Sequence, residues 1–204
     1  MSGGIARTGD DSIARTGDDA IEKHFLEDAV LQLRKYKGLA DGALAQVADA
    51  DLFRSVDAES NSIAIVMKHV AGNMKSRWTD FLTTDGEKPD RDRDAEFETE
   101  TGDTRASVAA RWEEGWRLLF SATEGLSPAD LSRTVAIRGE PHTVLQAIQR
   151  QLTHYAYHVG QIVFLARHFA GPRWRSLSIP KGRSKDFEVA RNGLPYRTTL
   201  EETR

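Results

Sequence analysis

The sequence predicts an all-α protein, a four-helix bundle, on three observations. Four long segments carry apolar residues at intervals of three, four or seven, the period of a helix buried along one stripe. Their ends coincide with polar caps, glycine or proline. No run of alternating apolar and polar residues is long enough to compete as a sheet, and amphipathic helices of this kind bury their stripes against one another.

At 204 residues the chain is long enough for one well-filled core and short for two. Its first residues hold a tandem copy, IARTGDD at Ile5 to Asp11 and again at Ile13 to Asp19. Two short polar copies cannot stack into a repeat fold, so residues 1–19 are expected to be a disordered leader. The domain is expected over 20–190, and 191–204 as a flexible tail.

The first helix is expected from Ala20 to about Ala48, with Leu26, Ala29, Val30, Leu33, Ala40, Leu44 and Val47 on its stripe. Ser60, Asn61 or Ser62 can cap a second helix that carries Ile63, Val66, Met67, Val70, Met74, Trp78 and Phe81 and ends near Thr83. Residues 84–103 are densely charged, contain Gly86, Pro89 and Gly102, and read as a long charged loop between helices 2 and 3. The third helix spans Thr104 to Glu124, with Val108, Trp112, Gly115 and Leu119 inward and Gly125 as its stop. Thr134 to Ile137 is β-branched enough for a short extended piece before an Arg138-Gly139 turn. Thr143 and Gln146 then form a capping-box pattern at the head of the fourth helix, which runs through Val144, Ile148, Leu152, Tyr155, Val159, Ile162, Ala166 and Phe169 to Gly171-Pro172. An irregular C-terminal segment follows.

Composition excludes several chemistries. There is no cysteine, so thiolate metal sites, disulfides and cysteine nucleophiles are out, and His, Asp and Glu remain as metal ligands. A formal net charge of -3 gives no reason to expect nucleic acid or an anionic membrane as partner. No apolar run reaches the roughly 20 residues of a membrane span, and no secretory signal is visible, so a cytoplasmic location is expected.

The chemistry concentrates on the fourth helix. His154 and His158, four residues apart, lie on one helical face about 6 Å apart along the axis, close enough for both imidazoles to reach one ion. The spacing alone equally suits ordinary surface or core histidines. Gln151, His154, His158 and Gln161 form a polar strip along the border of the apolar stripe, and His69, Asn73 and Arg77 form a matching strip on the second helix. Two such borders can face each other across a crevice.

Three strings carry a resemblance: MKHVAGNMKSRWTDFLTTDGEKPDRDRDAEFE, TVAIRGEPHTVLQAIQRQLTHYAYHVGQIVFLAR and WRSLSIPKGRSKDFE. From about Phe25 to Glu188 the chain resembles the DinB/YfiT-like superfamily of metal-binding four-helix bundles, in particular an uncharacterised bacterial branch of unknown function. The resemblance implies a DinB-like bundle in which one His of helix 2 and the His-x-x-x-His pair of helix 4 hold a divalent metal, zinc or nickel. Those positions are His69, His154 and His158. It also implies chemistry with low-molecular-weight thiols in some members, and pairing as a homodimer.

Three imidazoles leave a coordination position open, the arrangement of catalytic rather than closed structural sites. Such a metal lowers the pKa of a bound water or holds a substrate thiol as thiolate. Asn73, Arg77, Tyr157 and Gln161 are candidates for contacts to the ligands or to a small-molecule substrate, with plain interhelical hydrogen bonding as the other reading of each. No general base is assigned. His24, His142 and His168 are expected to be ordinary. The Asp90 to Asp94 run lacks the Gly and Glu of a calcium loop, having Ala95 and Thr101 in those places. It is read as a solvated acidic loop able to pair with Arg173, Arg175, Lys181, Arg183 and Lys185. Two classes of function follow: a metal-dependent enzyme of thiol-transfer or hydrolase type, or a noncatalytic, stress-associated protein whose metal is structural.

Overall fold

The computed structural model describes residues 11–183. It is mostly helical. Four long helices, α1 (Asp11–Leu44), α3 (Ile63–Trp78), α4 (Arg105–Glu124) and α5 (Val144–Ala170), are joined by a single-turn helix α2 (Asp49–Leu52) and a hairpin of β1 (Thr134–Ile137) and β2 (Glu140–Thr143). The long helices form a ring, α1 against α5, α5 against α3, α3 against α4, and α4 against α1. Leu33, Ile63, Val70, Met74, Trp112, Trp116, Leu119, Ile148, Tyr155 and Ile162 fill its interior and are almost wholly buried. Among the described residues no helix is long and apolar enough to cross a membrane.

Local chemistry sets the helix starts. Ser62 Oγ accepts the Ile65 N–H at the head of α3, and reciprocal capping boxes, Thr104 with Ser107 and Thr143 with Gln146, open α4 and α5. The ends depart more from the sequence pattern. Helix α1 begins at Asp11 and so takes in Ile13 to Asp19, the second copy of the duplicated string; most of the first copy lies outside the described residues, as do the tail residues 191–204. It stops at Leu44 instead of Ala48, and Val47 reaches the core from a turn whose carbonyl is taken by the Arg105 guanidinium. Helix α3 stops at Trp78 instead of Thr83. Thr79 turns extended, Asp80 has φ of 49°, and the N–H groups of Thr83 and Thr84 fold back onto the Asp80 carbonyl, so Phe81 is buried from a turn.

The extended piece at Thr134 to Ile137 is a strand, and Glu140 to Thr143 pairs with it in antiparallel register, Val135 opposite His142. Arg138 at φ 57° and Gly139 at φ 74° make the two-residue turn, the left-handed pair that the twist of a tight hairpin demands.

The charged connection 84–103 is tied down at both ends. Gly86 N–H donates to the Ala136 carbonyl at 2.8 Å, and the Asp85 carboxylate accepts from the Arg138 and Gly139 N–H groups at 2.9 and 2.7 Å. Further on, buried Lys68 of α3 donates to the Glu98 carbonyl and to Asp103, both at 2.7 Å. The described part of the C-terminal segment goes elsewhere: Arg175 exchanges hydrogen bonds with the Gln46 amide and Leu177 packs on Gly42 of α1. Lys185, one of the basic residues expected to pair with the acidic run, lies outside the described residues.

Candidate metal centre

Helix periodicity puts His154 and His158 on successive turns of α5, and the α3 to α5 packing brings His69 opposite them. His154 Nε2 stands 3.1 Å from His158 Nε2 and 3.4 Å from His69 Nε2. One nitrogen of each ring lies within 4.8 Å of the others, a group that could hold a metal ion. Ligands 2.0–2.1 Å from a tetrahedral ion sit about 3.3–3.4 Å apart, so the two shorter separations already match that spacing.

The outward nitrogens fix two of the rings. His69 Nδ1 is 2.9 Å from Glu96 Oε2, and His158 Nδ1 is 2.9 Å from Gln161 Oε1. Each oxygen can only accept, so both Nδ1 atoms carry the proton and both Nε2 lone pairs point inward. If His154 is protonated at Nδ1, three lone pairs converge; if at Nε2, its one hydrogen can satisfy a single neighbour and a lone pair stays opposed. A cation at the centre satisfies all three at once, and so the donor set fits a metal. The two rings on α5 are also held neutral. Burial, then the neighbouring His158 and His69, pushes His154 down to about 3, and burial lowers His158 despite its bond to Gln161.

Glu96 is a functional residue the sequence reading missed. It sits in a one-turn 3₁₀ segment, Ala95–Phe97, inside the charged connection, yet is 8% exposed. Arg91 grips its carboxylate with two bonds, Nε to Oε1 at 2.7 Å and Nη2 to Oε2 at 2.8 Å. Burial alone would raise the Glu96 carboxyl, but the hydrogen bonds from His69 and Arg91 outweigh it and hold the group below its ordinary range, as the carboxylate. Gly72, one turn along α3 from His69, leaves the space the carboxylate fills. Phe97 covers the His69 ring at 4.7 Å between centroids. The alternation of Asp and Arg before Glu96 reads as solvated surface; only the glycine in mid-helix hinted at a close approach.

The remaining candidates separate. Gln161 holds His158, as described. Asn73 is buried, and its Oδ1 accepts from the Tyr155 hydroxyl at 3.0 Å, which in turn accepts from Trp78 Nε1 at 3.0 Å. Arg77 is buried and donates to the Gly86 carbonyl and to Glu87, tying the charged connection to α3. Tyr157 is exposed, with its ring 4.5 Å from that of His158, and is not among the residues lining the neighbouring cavity. Asn73 and Arg77, with His69 and His154, line a cavity of about 210 Å³ beside the three nitrogens. His142 instead bonds the Glu140 carbonyl, and His168 packs on Phe169.

Comparison with curated proteins and with solved structures gives no match. The family model described as a protein of unknown function, DUF1572, matches residues 20–183, which contain all four long helices' packed portions, the hairpin and every residue of the centre. The chain therefore belongs to the DUF1572 family of proteins of unknown function.

Proposed function

We propose that this chain is a DinB-like four-helix bundle that binds one divalent cation, zinc or nickel, through His69, His154 and His158, and that it is a metal-dependent enzyme of transferase or hydrolase type. The observation that supports it is the convergence of three imidazole Nε2 atoms beside a cavity. Imidazole donors suit either metal. When bound, the metal supplies a Lewis acid with a position left for a substrate atom, since the chain offers three ligands and the cavity opens next to two of them.

The chain's own part is orientation. Glu96 and Gln161 hold the His69 and His158 rings in the tautomer that presents Nε2, and Arg91 fixes Glu96. The Asn73, Tyr155 and Trp78 bonds cross from α3 to α5 next to the ligands and set the distance between the helices that carry them. No Asp, Glu or fourth His completes the cluster among the described residues, which favours an open site over a closed structural one. A low-molecular-weight thiol is the proposed class of co-substrate, since the chain brings no thiol of its own.

The test is elemental analysis of protein purified without chelator and without a nickel column, beside a His154→Ala variant. About one equivalent of one metal, lost in the variant, is expected. No metal in either, with reconstitution failing, overturns the proposal. With cobalt loaded, glutathione, mycothiol and bacillithiol are each expected to be scored by the visible spectrum; silence from all three rejects thiol transfer while leaving the metal site.

A further inference from the structure

Five arginines, Arg77, Arg91, Arg93, Arg138 and Arg150, line the cavity beside the three histidines, and none of its lining residues is acidic. We infer that this cavity is the subsite for the oxyanion end, carboxylate or phosphate, of a small acidic substrate whose other end faces the histidines. The second half of that sentence rests on the metal-enzyme reading; the anion site itself does not.

Counting partners leaves positive charge over. Glu87 serves three of the arginines, Arg77 at 3.1 Å, Arg138 at 3.2 Å and Arg91 at 3.4 Å. Glu96 serves Arg91 and is shared with His69. Among the described residues Arg150 has no ion pair, and the Arg93 guanidinium lies over the Phe97 ring at 5.2 Å. Asp85 lies beside Arg138, and its oxygens are occupied by the N–H groups of Glu87, Arg138 and Gly139. Even with Asp85 counted, guanidinium groups exceed carboxylates.

An uncompensated excess of this kind is unremarkable on a convex surface. Lining a concave site it focuses the field and concentrates anions. Guanidinium forks match the planar oxygens of carboxylate and phosphate. Two buried polar atoms in residues of the same wall, Arg77 Nε and Gln151 Oε1, also lack a partner, in contrast to the satisfied network behind them. The cavity, about 210 Å³, is smaller than the roughly 300–1,000 Å³ of sites for drug-sized ligands, and so suits a small molecule.

The experiment titrates inorganic phosphate and, separately, succinate into the full metal-free chain at low salt by calorimetry, with succinamide as the neutral counterpart. The variant replaces Arg93 and Arg150 together by Ala; both side chains are exposed, so the fold is not at stake. Saturable binding of phosphate, succinate or both is expected, none of succinamide, and a loss of about tenfold for each guanidinium removed. Phosphate alone marks a phosphorylated substrate; succinate alone marks a carboxylate. Failure of both anions to saturate, equal binding of succinamide, or unchanged affinity in the variant overturns the inference. Metal content, measured on the protein as purified and after reconstitution rather than on the stripped chain, keeps the two readings apart: anion binding by a chain that takes up no metal leaves this inference standing and fells the metal centre, and metal uptake without anion binding does the reverse.

Discussion

The Glu96 carboxylate occupies the space that a Cβ on residue 72 would fill, and it reaches His69 because that residue is glycine. Gly72→Ala should therefore displace Glu96 and free the His69 ring. Loss of a carboxylate behind a ligating His costs about 10–100-fold in metal affinity, and that is the expected effect, read by competition with a chromogenic chelator. Glu96→Gln should weaken binding in the same direction. Gly38→Ala is the control: a Cβ there meets nothing within 4 Å in the middle of α1, and the change should stabilise by about 0.5–1 kcal/mol. Unchanged metal affinity in Gly72→Ala would separate Glu96 from the centre.

On the proposed reading, a metal bound between α3 and α5 would stabilise the folded state alone. Excess zinc should raise the melting temperature, by about 2.7 kcal/mol of stability when free zinc is a hundred times its Kd, and His158→Ala should abolish the increment. The metal-free variant should melt no lower than the metal-free wild type by more than the lost packing, since removing one ring also removes an opposed lone pair. Thermal melts with and without chelator decide this. A zinc shift retained in the variant would mean the ion binds elsewhere.

The Tyr155 hydroxyl links Trp78 Nε1 to Asn73 Oδ1 in a core where the tyrosine has no exposed surface. Tyr155→Phe keeps the ring and strands a donor and an acceptor. A loss of about 1–3 kcal/mol is expected in urea denaturation, with the slope unchanged. A neutral result would show that the two partners find other bonds.

Asp85 should make the protein acid-sensitive in a defined window. Backbone N–H groups, Glu87 first and then Gly139 and Arg138, hold its carboxyl below the usual 3.8. A carboxyl lowered on folding stabilises fully above its unfolded pKa of about 3.9, and this is lost as pH falls through the folded value. Stability of the wild type should thus fall more steeply than that of Asp85→Asn below about pH 4, while the gap between them stays constant from pH 5 to neutral. Parallel curves throughout would show that the turn does not need the charge.

The sequence was most legible where one helix turn decides the outcome. Thr143 with Gln146 and Gly171 marked real ends, the polar group Ser60 to Ser62 contained the true cap of α3, Ser62, and the four-residue spacing of His154 and His158 placed them on one face because nothing but helical period is involved. Where distant segments meet, the pattern was silent. Glu96 looks like one acid in a solvated run; only the path of residues 84–103, fixed by Asp85, Gly86 and Lys68, carries it under α3. Arg77 and Asn73 were visible as a polar strip, but their partners, Glu87 and Tyr155, lie outside any local window. Tyr157 sits beside His158 in sequence and is turned by one helical step out to solvent. The early stops of α1 and α3 depend on the Arg105 and Asp80 geometry, and apolar periodicity continues past both because turns can bury Val47 and Phe81 as well as helices can.

His69 and His154 are 85 residues apart in the chain, although their nitrogens are 3.4 Å apart in the fold. During synthesis at about 5–20 residues per second, His69 emerges roughly 4–17 s before its partner. For that interval the segment that becomes α3 carries a lone imidazole, and Glu96, Arg91 and the α4 segment are all made before the second imidazole appears. The three-imidazole cluster thus waits for the last long helix, and a chain truncated before His154 would carry three of the four long helices and no centre at all.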